Sequence, residues 1–510
     1  MWKDLGEAIG AAALRQIREY ETYSRAVRDE NARRSRRSMA APPLLQIRRP
    51  DRWAADPAFN PYLVRKRSSS IAHAITNKLK NGNYAPQLPA GFRVPKGSGG
   101  SRQISTFAIA DEVISKRLYK SLMIKNAPRL SSHAFAYRRD RTPHDAISYI
   151  HNDIKREQRL FVAEYDFSSF FDKISHNYLR QTIEDLGIIS TPLEMSLIET
   201  FLAVPEPGRD EGEGPPPPRS EGLPQGTSIS LFLANLAASP IDKALERLGV
   251  GFARYADDTL IWSNSYDQIC EASAILQTAA EAIGSPINVE KSPGVRLLMP
   301  TEARTQEILG TKSVGYLGHE LGLRSIKMKS TSVMRIKQRI QTLLYTNLLM
   351  EPLRHNQRFD RLTDNDRDYV TYIWQLRRYL YGSLSENDVR RFQRGGAPKM
   401  TFEGVMAFFP LVDHDEDLDA LDMWIATQTW LTLRKRKRIL GSKTTRTPRT
   451  WDMSREQLIR LKVISSSSGD ELDLRIPSIR RIAGVIRVAV NTHGFGAAAD
   501  GSRLYLYDSE

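Results

Sequence analysis

The chain has 510 residues, 41% of them hydrophobic, which is enough for two or three domains with sizeable cores. Its formal net charge of +15 favours a polyanionic partner, nucleic acid before membrane, with an inert basic surface as the alternative. Cys270 is the only cysteine, which excludes an intramolecular disulfide and a cysteine-built zinc site. No apolar run is long enough to span a bilayer and the charged, amphipathic start does not read as a signal peptide, so a cytoplasmic protein without a membrane partner is expected.

Residues 1–87 read as a helical, basic extension. Within it, "NARRSRRSMAAPPLLQIRRPDRW" reads as an extended basic arm or a solvated linker. The texture changes near residue 88. "FRVPKGSGGSRQIS" predicts two short strands joined by a Gly/Ser turn, and "DEVISKRLYKSLMIK" has apolar residues at helical spacing. "RLFVAEYDFSSFF" begins as a buried strand and runs into Asp166. "VPEPGRDEGEGPPPPRSEG" is a stiff, polar surface loop. "GTSISLFLANLAASPIDKALERLG" predicts a helix capped by Thr227 or Ser228. "GVGFARYADDTLIWS" predicts two short strands meeting at Asp257 and Asp258. "CEASAILQTAAEAIG" predicts a helix ending at Gly284, and "KSVGYLGHELG" a further hairpin.

Beyond about residue 330 the pattern is helical: "SVMRIKQRIQTLL", "RDYVTYIWQLRRYLYGSL", and a region from "FEGVMAFFP" to the basic run Arg434, Lys435, Arg436, Lys437 and Arg438. Five consecutive residues cannot share one helix face, so part of that run is expected to face solvent or RNA. The last residues, "RLYLYDSE", alternate as a strand does.

The adjacent carboxylates Asp257 and Asp258 repel each other, and a hard divalent cation answers that repulsion. At a tight turn both can lie near one point, with Asp257 the more direct ligand. Asp166, at the end of another hydrophobic strand, supplies a third acid. Three carboxylates at one sheet edge suit two-metal phosphoryl transfer, in which one ion activates a hydroxyl and the other holds the leaving pyrophosphate.

The motif order carries more than the acids alone. "YADD", "YDFSSFFDKISH", "LPQGTSISLFLANL", "INVEKS" and "VGYLGHELG", preceded by "FRVPKGSGGSRQIS" and "SSHAFAYRRDRTPHDAI", resemble the motifs of the reverse transcriptases, in family order from about residue 88 to 325. The resemblance implies an α/β (α+β) fold shaped as a right-hand polymerase. It would have fingers and an RRM-like antiparallel palm over 88–325, a helical thumb-like region over 326–395, and a mostly helical C-terminal domain over 396–510.

It also implies roles. Asp166, Asp257 and Asp258 are the catalytic acids and, with Phe167, the metal set for two Mg²⁺ ions, with Mn²⁺ as a substitute. Lys96 and Arg102 clamp the triphosphate, with plain surface cations as the alternative. Phe171 stands at the ribose gate, where its ring would exclude a 2′-hydroxyl, and Phe170 beside it is expected in the core. Gln225 and Gly226 let the backbone approach nucleotide and template, and Lys291 serves as general acid to pyrophosphate. Tyr255, Ala256, Gly315, Tyr316, Leu317 and Gly318 lie along the primer. The implied reaction is RNA-directed addition of dNTPs by a nucleotidyltransferase, giving a DNA product.

"FEGVMAFFPLVDHDEDLDALDMWI" resembles segments of abortive-infection and defence-associated reverse transcriptases more loosely. That implies an antiphage role with a dedicated non-coding RNA template, and a homo-oligomer is among the expectations. Retron- and group II intron-type enzymes remain the alternatives, along with an RNA-binding or toxin protein on an altered palm. An RNA-dependent RNA polymerase would share the palm, but Phe171 and the Tyr-Ala form of the acidic motif count against it. Tyr505 and Tyr507 are candidates for a protein hydroxyl that primes synthesis, a packed strand being the alternative.

Overall fold

The computed structural model describes residues 4–95, 101–206, 217–300, 308–464 and 471–498. Lys96, Tyr505 and Tyr507 lie outside the described residues, as do the Gly/Ser turn and part of the proline-rich loop.

The chain opens with a 33-residue helix, Leu5–Arg37. The arginines of "NARRSRR" are its last turns, because Ala and Arg propagate a helix until Pro42 and Pro43 stop it. The basic arm expected from the sequence is therefore confined to its second half. Near its start the helix packs on Ser68–Lys80, with Ser69 Cα 3.4 Å from the point where Gly6 would carry a Cβ. Its last residue reaches the opposite end of the chain: Arg37 Nη1 donates to Asn347 Oδ1 at 2.8 Å, and Arg37 O accepts from Arg358 N at 3.2 Å.

Strands β1 (Ala90–Pro95) and β2 (Ser101–Thr106) pair antiparallel, as the sequence predicts. The central sheet contains β3 (Leu160–Tyr165), β4 (Gly251–Tyr255), β5 (Asp258–Ser263), β6 (Gly294–Leu298) and β7 (Gly310–Thr311), in the order β4-β5-β3-β6-β7. Four of these strands run antiparallel, but β7 pairs parallel to β6. The purely antiparallel palm is corrected at this edge, where two residues pair on one side only. A second sheet, β8 (Val314–Tyr316), β9 (His319–Leu321) and β10 (Ile326–Met328), is antiparallel in the order β10-β9-β8.

Period-two alternation divides the central sheet's side chains between two cores. Ala163, Tyr165, Phe252 and Ile261 face a cluster built with the helices Ile109–Asn126, Ser228–Leu248 and Tyr266–Ile283. Leu160, Val162, Leu260 and Trp262 face the other cluster, which continues without a break through Val314, Ile340, Tyr372, Ile425 and Ile486. The palm floor and the C-terminal helices thus share one hydrophobic core, in which each fully buried Leu or Ile contributes about 1.5–3 kcal/mol.

The segment after Phe402 corrects the sequence reading. Residues Val405–Phe408 form only a short 3₁₀ turn, and the α-helix runs from Asp415 to Leu440. Gly404 has φ +87° and lies where an added Cβ would meet Gly382 N at 2.7 Å, so the chain is pressed against the end of the helix Arg367–Tyr381. Pro410 adds a further break, and the helix starts only at the acidic turn Asp415, Glu416 and Asp417.

Candidate active site

The Asp pair sits where the sequence puts it. β4 and β5 form a hairpin in register Tyr255↔Asp258, with Ala256 and Asp257 as its two-residue turn. Ala256 has φ +63°, the signature of a type II′ turn at its first central residue. A side chain there strains the backbone by about 1–2 kcal/mol, so the surroundings must hold it. Arg254 does so from below. Its Nη1 donates to Ala256 O at 2.9 Å, and its Nε and Nη2 grip Asp242 at 2.7 and 2.6 Å. Asp242 and Asn235, which accepts a further Arg254 bond at 3.2 Å, belong to the helix Ser228–Leu248 capped by Thr227. The backbone of Arg254 is also bonded to His133 and Phe135, which ties "SSHAFAY" alongside β4.

The second hairpin braces the first. Leu317 and Gly318 both have positive φ, +45° and +77°, as a type I′ turn requires. Just before them Tyr316 is buried, its hydroxyl 3.1 Å from Ala253 O and 3.2 Å from Asp258 O. Of the residues expected along the primer, Tyr255 and Ala256 therefore belong to one hairpin and Gly315, Tyr316, Leu317 and Gly318 to the other, joined through this phenol. Gly315 is overlaid by Lys329, whose Nζ would be 3.0 Å from an added Cβ.

Alternation along β3 sets Glu164 and Asp166 on the face that carries Leu160 and Val162, and along β5 it sets Asp258 with Leu260 and Trp262. Acids from two strands thus share one face. Burial pushes the Asp258 carboxyl up to about 7, helped by the charges of Glu164, Asp166 and Asp257 and opposed by Lys329. Lys291 Nζ donates to Asp166 Oδ2 at 2.9 Å, and that bond, with Asp257 and Asp258 nearby, holds the Lys291 ammonium above its usual range. "INVEKS" also braces the strand end: Asn288 N donates to Asp166 O at 2.7 Å, Asp166 N donates to Ser292 Oγ at 3.2 Å, and Phe167 bridges Ile287.

The donors are all hard oxygens, crowded enough that the neighbouring carboxylates lift Asp258, which fits a hard divalent cation. Among the described residues no group of three or more His, Cys, Asp or Glu side chains is arranged to hold a metal ion.

Phe171 is half-buried against Tyr137, ring centroids 6.0 Å apart and nearly perpendicular, while Phe170 is in the core. Gln225 Nε2 donates to Asp172 Oδ1 at 2.5 Å, fastening "LPQG" to the Phe171 loop. Gly226, with φ +101°, comes close to β2, where an added Cβ would lie 2.1 Å from Ser105 O, so the glycine admits that strand. Arg102 is paired with Val94 in the β1–β2 hairpin.

The basic run divides between inward and solvent-facing residues, as its spacing on a helix predicts. Arg436 is wholly buried, donating to Asp366, Asp368, Gln357 and the Leu348 carbonyl. Arg434 and Lys437 both pair with Asp452. Only Lys435 and Arg438 are left to solvent, because Leu433, Arg436 and Leu440 form the helix's inward face.

Three residues at the acids escaped the sequence reading: Glu164, its ion-pair partner Arg296 on β6, and Lys329. Glu164 stands two before Asp166 and so shares its face, a signal that period-two counting carries.

Residues 94–321 match the family model "Reverse transcriptase (RNA-dependent DNA polymerase)". This segment, which holds both hairpins, is similar to a reverse transcriptase domain. The chain is 26% identical to Protein YkfC of Escherichia coli (strain K12) over 210 residues, 40% of this chain and 53% of that protein. It is also 26% identical to the Putative COX1/OXI3 intron 1 protein of Saccharomyces cerevisiae over 176 residues, 34% of this chain and 20% of that one. It therefore spans about half the length of the first relative and a fifth of the second. Among solved structures it is similar to apo telomerase from Candida tropicalis, with TM-score 0.38, 15% identity, and 51% of this chain and 60% of that chain covered. Telomerase from Candida albicans, solved with a fragment of telomeric RNA, gives TM-score 0.37 and 15% identity over 73% of this chain and 66% of that chain. Among the described residues no helix is long and apolar enough to cross a membrane.

Proposed function

We propose that the chain is an RNA-directed DNA polymerase that adds dNTPs to a 3′-hydroxyl on an RNA template. The observation that supports this best is the meeting of Asp166 and Asp258 on one sheet face, with Asp257 in the strained turn and Lys291 bonded to Asp166. Asp166, Asp257 and Asp258, with the Phe167 backbone, would hold two Mg²⁺ ions, which when bound supply Lewis-acid stabilisation of the reacting phosphate. Arg254 and Tyr316 fix the turn that presents Asp257. Lys291, a cation at the rim, would be the group to pass a proton to departing pyrophosphate. Phe171 excludes a 2′-hydroxyl, and Lys96 and Arg102 clamp the triphosphate. The organs follow as proposals: extension 1–87, fingers and palm 88–325, thumb 326–395, C-terminal domain 396–510.

Primer extension tests this directly. The purified full chain with Mg²⁺, an RNA template and a DNA primer should incorporate dNTPs in preference to rNTPs, and Mn²⁺ should substitute. No metal-dependent incorporation on any primed RNA would sink the reading.

For the biological role we infer antiphage defence in a bacterial cytoplasm, with a dedicated non-coding RNA as template. The resemblance of "FEGVMAFFPLVDHDEDLDALDMWI" supports it. The similarity to a yeast intron protein favours an intron-type enzyme as the second reading. Sequencing the nucleic acid that copurifies with the protein separates them: one recurrent small RNA supports the first, intron RNA the second.

A further inference from the structure

Outside the reverse transcriptase segment, a cleft of about 530 Å³ opens beside the helix Glu386–Gly395. It is lined by Asn387, Arg390, Arg391, Arg394 and Gly395 of that helix, with Arg475 from the segment opposite. Asn387, Arg390, Arg391 and Arg394 stand at i, i+3, i+4 and i+7, so they form one continuous face. Val389 and Phe392 point the other way, into the core. The stripe is the cationic counterpart of an amphipathic helix's apolar stripe.

The charges around the cleft do not cancel. Glu386 is shared by Arg390 and Arg481, Asp473 by Arg377 and Arg475, and Asp388 pairs with Arg391. Arg394 has no ion pair among the described residues. The four lining arginines, Arg390, Arg391, Arg394 and Arg475, meet three carboxylates, two of them shared with Arg481 and Arg377, so positive charge is in excess. Two of the lining arginines are also held in place. Arg475 is fixed by Asp473 and by Asn387 Oδ1, to which it donates at 2.7 Å, and its Nη1 has no acceptor among the described residues. Arg391 lies over the Phe392 ring at 5.1 Å. Fixed guanidinium forks with spare N–H donors match phosphate oxygens. No aromatic ring lines the cleft, and the guanidinium forks offer recognition of the sugar-phosphate backbone.

We propose that this cleft anchors the phosphate backbone of a single nucleic-acid strand, remote in sequence from the polymerase motifs. The proposal rests on the polymerase reading only in taking that strand to be template or product.

The test is equilibrium binding of a fluorescein-labelled 30-nucleotide RNA to the full chain between 50 and 300 mM KCl. Arg391→Gln with Arg394→Gln alters two exposed side chains. It should weaken binding and flatten the plot of log affinity against log salt by roughly 1.4, about 0.7 for each single-strand phosphate no longer neutralised. Arg394→Glu alone, at a position with no ion pair to break, should also weaken binding. An unchanged slope in the double variant would overturn the proposal. So would an equal flattening by Arg25→Gln with Arg28→Gln, exposed arginines on the N-terminal helix, because the effect would then be net charge alone. ATP is the second probe: saturable ATP binding abolished in the double variant, with the RNA slope intact, would replace the strand by a free nucleotide and overturn it too. Wild-type protein that binds RNA with the expected slope difference but incorporates no dNTP would sink the polymerase reading and leave the cleft standing.

Discussion

Of the three arginines sealed inside the described residues, Arg37, Arg254 and Arg436, the last two do different work with the same chemistry. Arg254 and Arg436 are each almost fully buried, each grips carboxylates with both arms of the guanidinium, and each donates to a backbone carbonyl. The carbonyl under Arg254 is that of Ala256, in the strained turn that presents Asp257. The carbonyl under Arg436 is that of Leu348, beside Asn347, where the long N-terminal helix meets the helices of the C-terminal half. A buried ion pair is weak evidence of net stability but strong evidence of a fixed geometry, since either partner alone would be an uncompensated charge. In the palm that geometry holds the turn proposed to bind metal; at the junction it holds helices together. Variants should therefore separate activity from stability in the first region and not in the second.

The largest expected effect is Asp257→Ala or Asp166→Ala. Each should abolish dNTP incorporation, a loss of several kcal/mol in transition-state stabilisation, without lowering the melting temperature. Crowded like charges lift Asp258, so removing one relieves repulsion. Near-normal incorporation in Mg²⁺ would overturn the site assignment, and a collapsed melting temperature would erase the contrast with the junction.

Arg436→Gln should do the reverse. It leaves Asp366 and Asp368 buried without their cation, which costs about 3–5 kcal/mol, read as a lower denaturation midpoint. RNA affinity of the folded fraction should hold, because this side chain does not touch solvent. A variant as stable as wild type would mean the junction is not a keystone.

The same contrast explains what the sequence made legible. The strands, the Asp hairpin, the Thr227 cap and the Gly284 stop are short-range signals, a period of two or three to four residues closed by a turn or cap, and these are readable one window at a time. Which residue of the basic run turns inward was not readable, because the partners of Arg436, Asp366 and Asp368, lie about seventy residues away and nothing local marks them. The strand that Gly226 admits, at Ser105, is likewise distant in sequence and has no local mark. "FEGVMAFFP" looked helical by hydrophobic content, while its glycine and proline, which should have weighed more, decide the outcome.

His319 lies between the two regions, on β9 next to the Leu317–Gly318 turn and packed on Phe408 and Phe409. Its Nδ1 is 2.9 Å from Leu317 O, which can only accept, so Nδ1 carries the proton, and Nε2 is buried with no partner among the described residues. Burial pushes the imidazole down to about 4 from 6.5. The unfolded chain takes up a proton below 6.5 and the folded one does not until about 4, so stability should fall across that window, by up to about 3 kcal/mol. His319→Gln should flatten the fall in melting temperature between those pH values. An unchanged profile would remove His319 from the account.

Phe171→Ala should raise rNTP use relative to dNTP by about tenfold to a hundredfold, ~1–3 kcal/mol, since the ring that meets a 2′-hydroxyl is gone. Phe170→Ala, in the core beside it, should lower the melting temperature and leave the sugar ratio alone. If both variants shift the ratio equally, the gate is a packing effect.

The smallest effect is the most discriminating. Tyr316→Phe removes one hydroxyl and no volume. Its hydrogen bonds go to Ala253 O and Asp258 O, one on each strand of the catalytic hairpin, so the oxygen joins the second sheet to the two strands that flank the turn. Losing a buried neutral hydrogen bond costs about 1 kcal/mol of stability. Were the phenol only a packing group, the variant would fall by that much or less and polymerise normally. If it positions Asp258, incorporation should drop severalfold at saturating dNTP and primer, a change in kcat with little in KM, because the groups that bind the substrates are intact. The double variant Tyr316→Phe, Arg254→Lys should then lose more than the sum of the singles, since both side chains restrain one hairpin. Additive losses would mean that the two supports act on the turn separately.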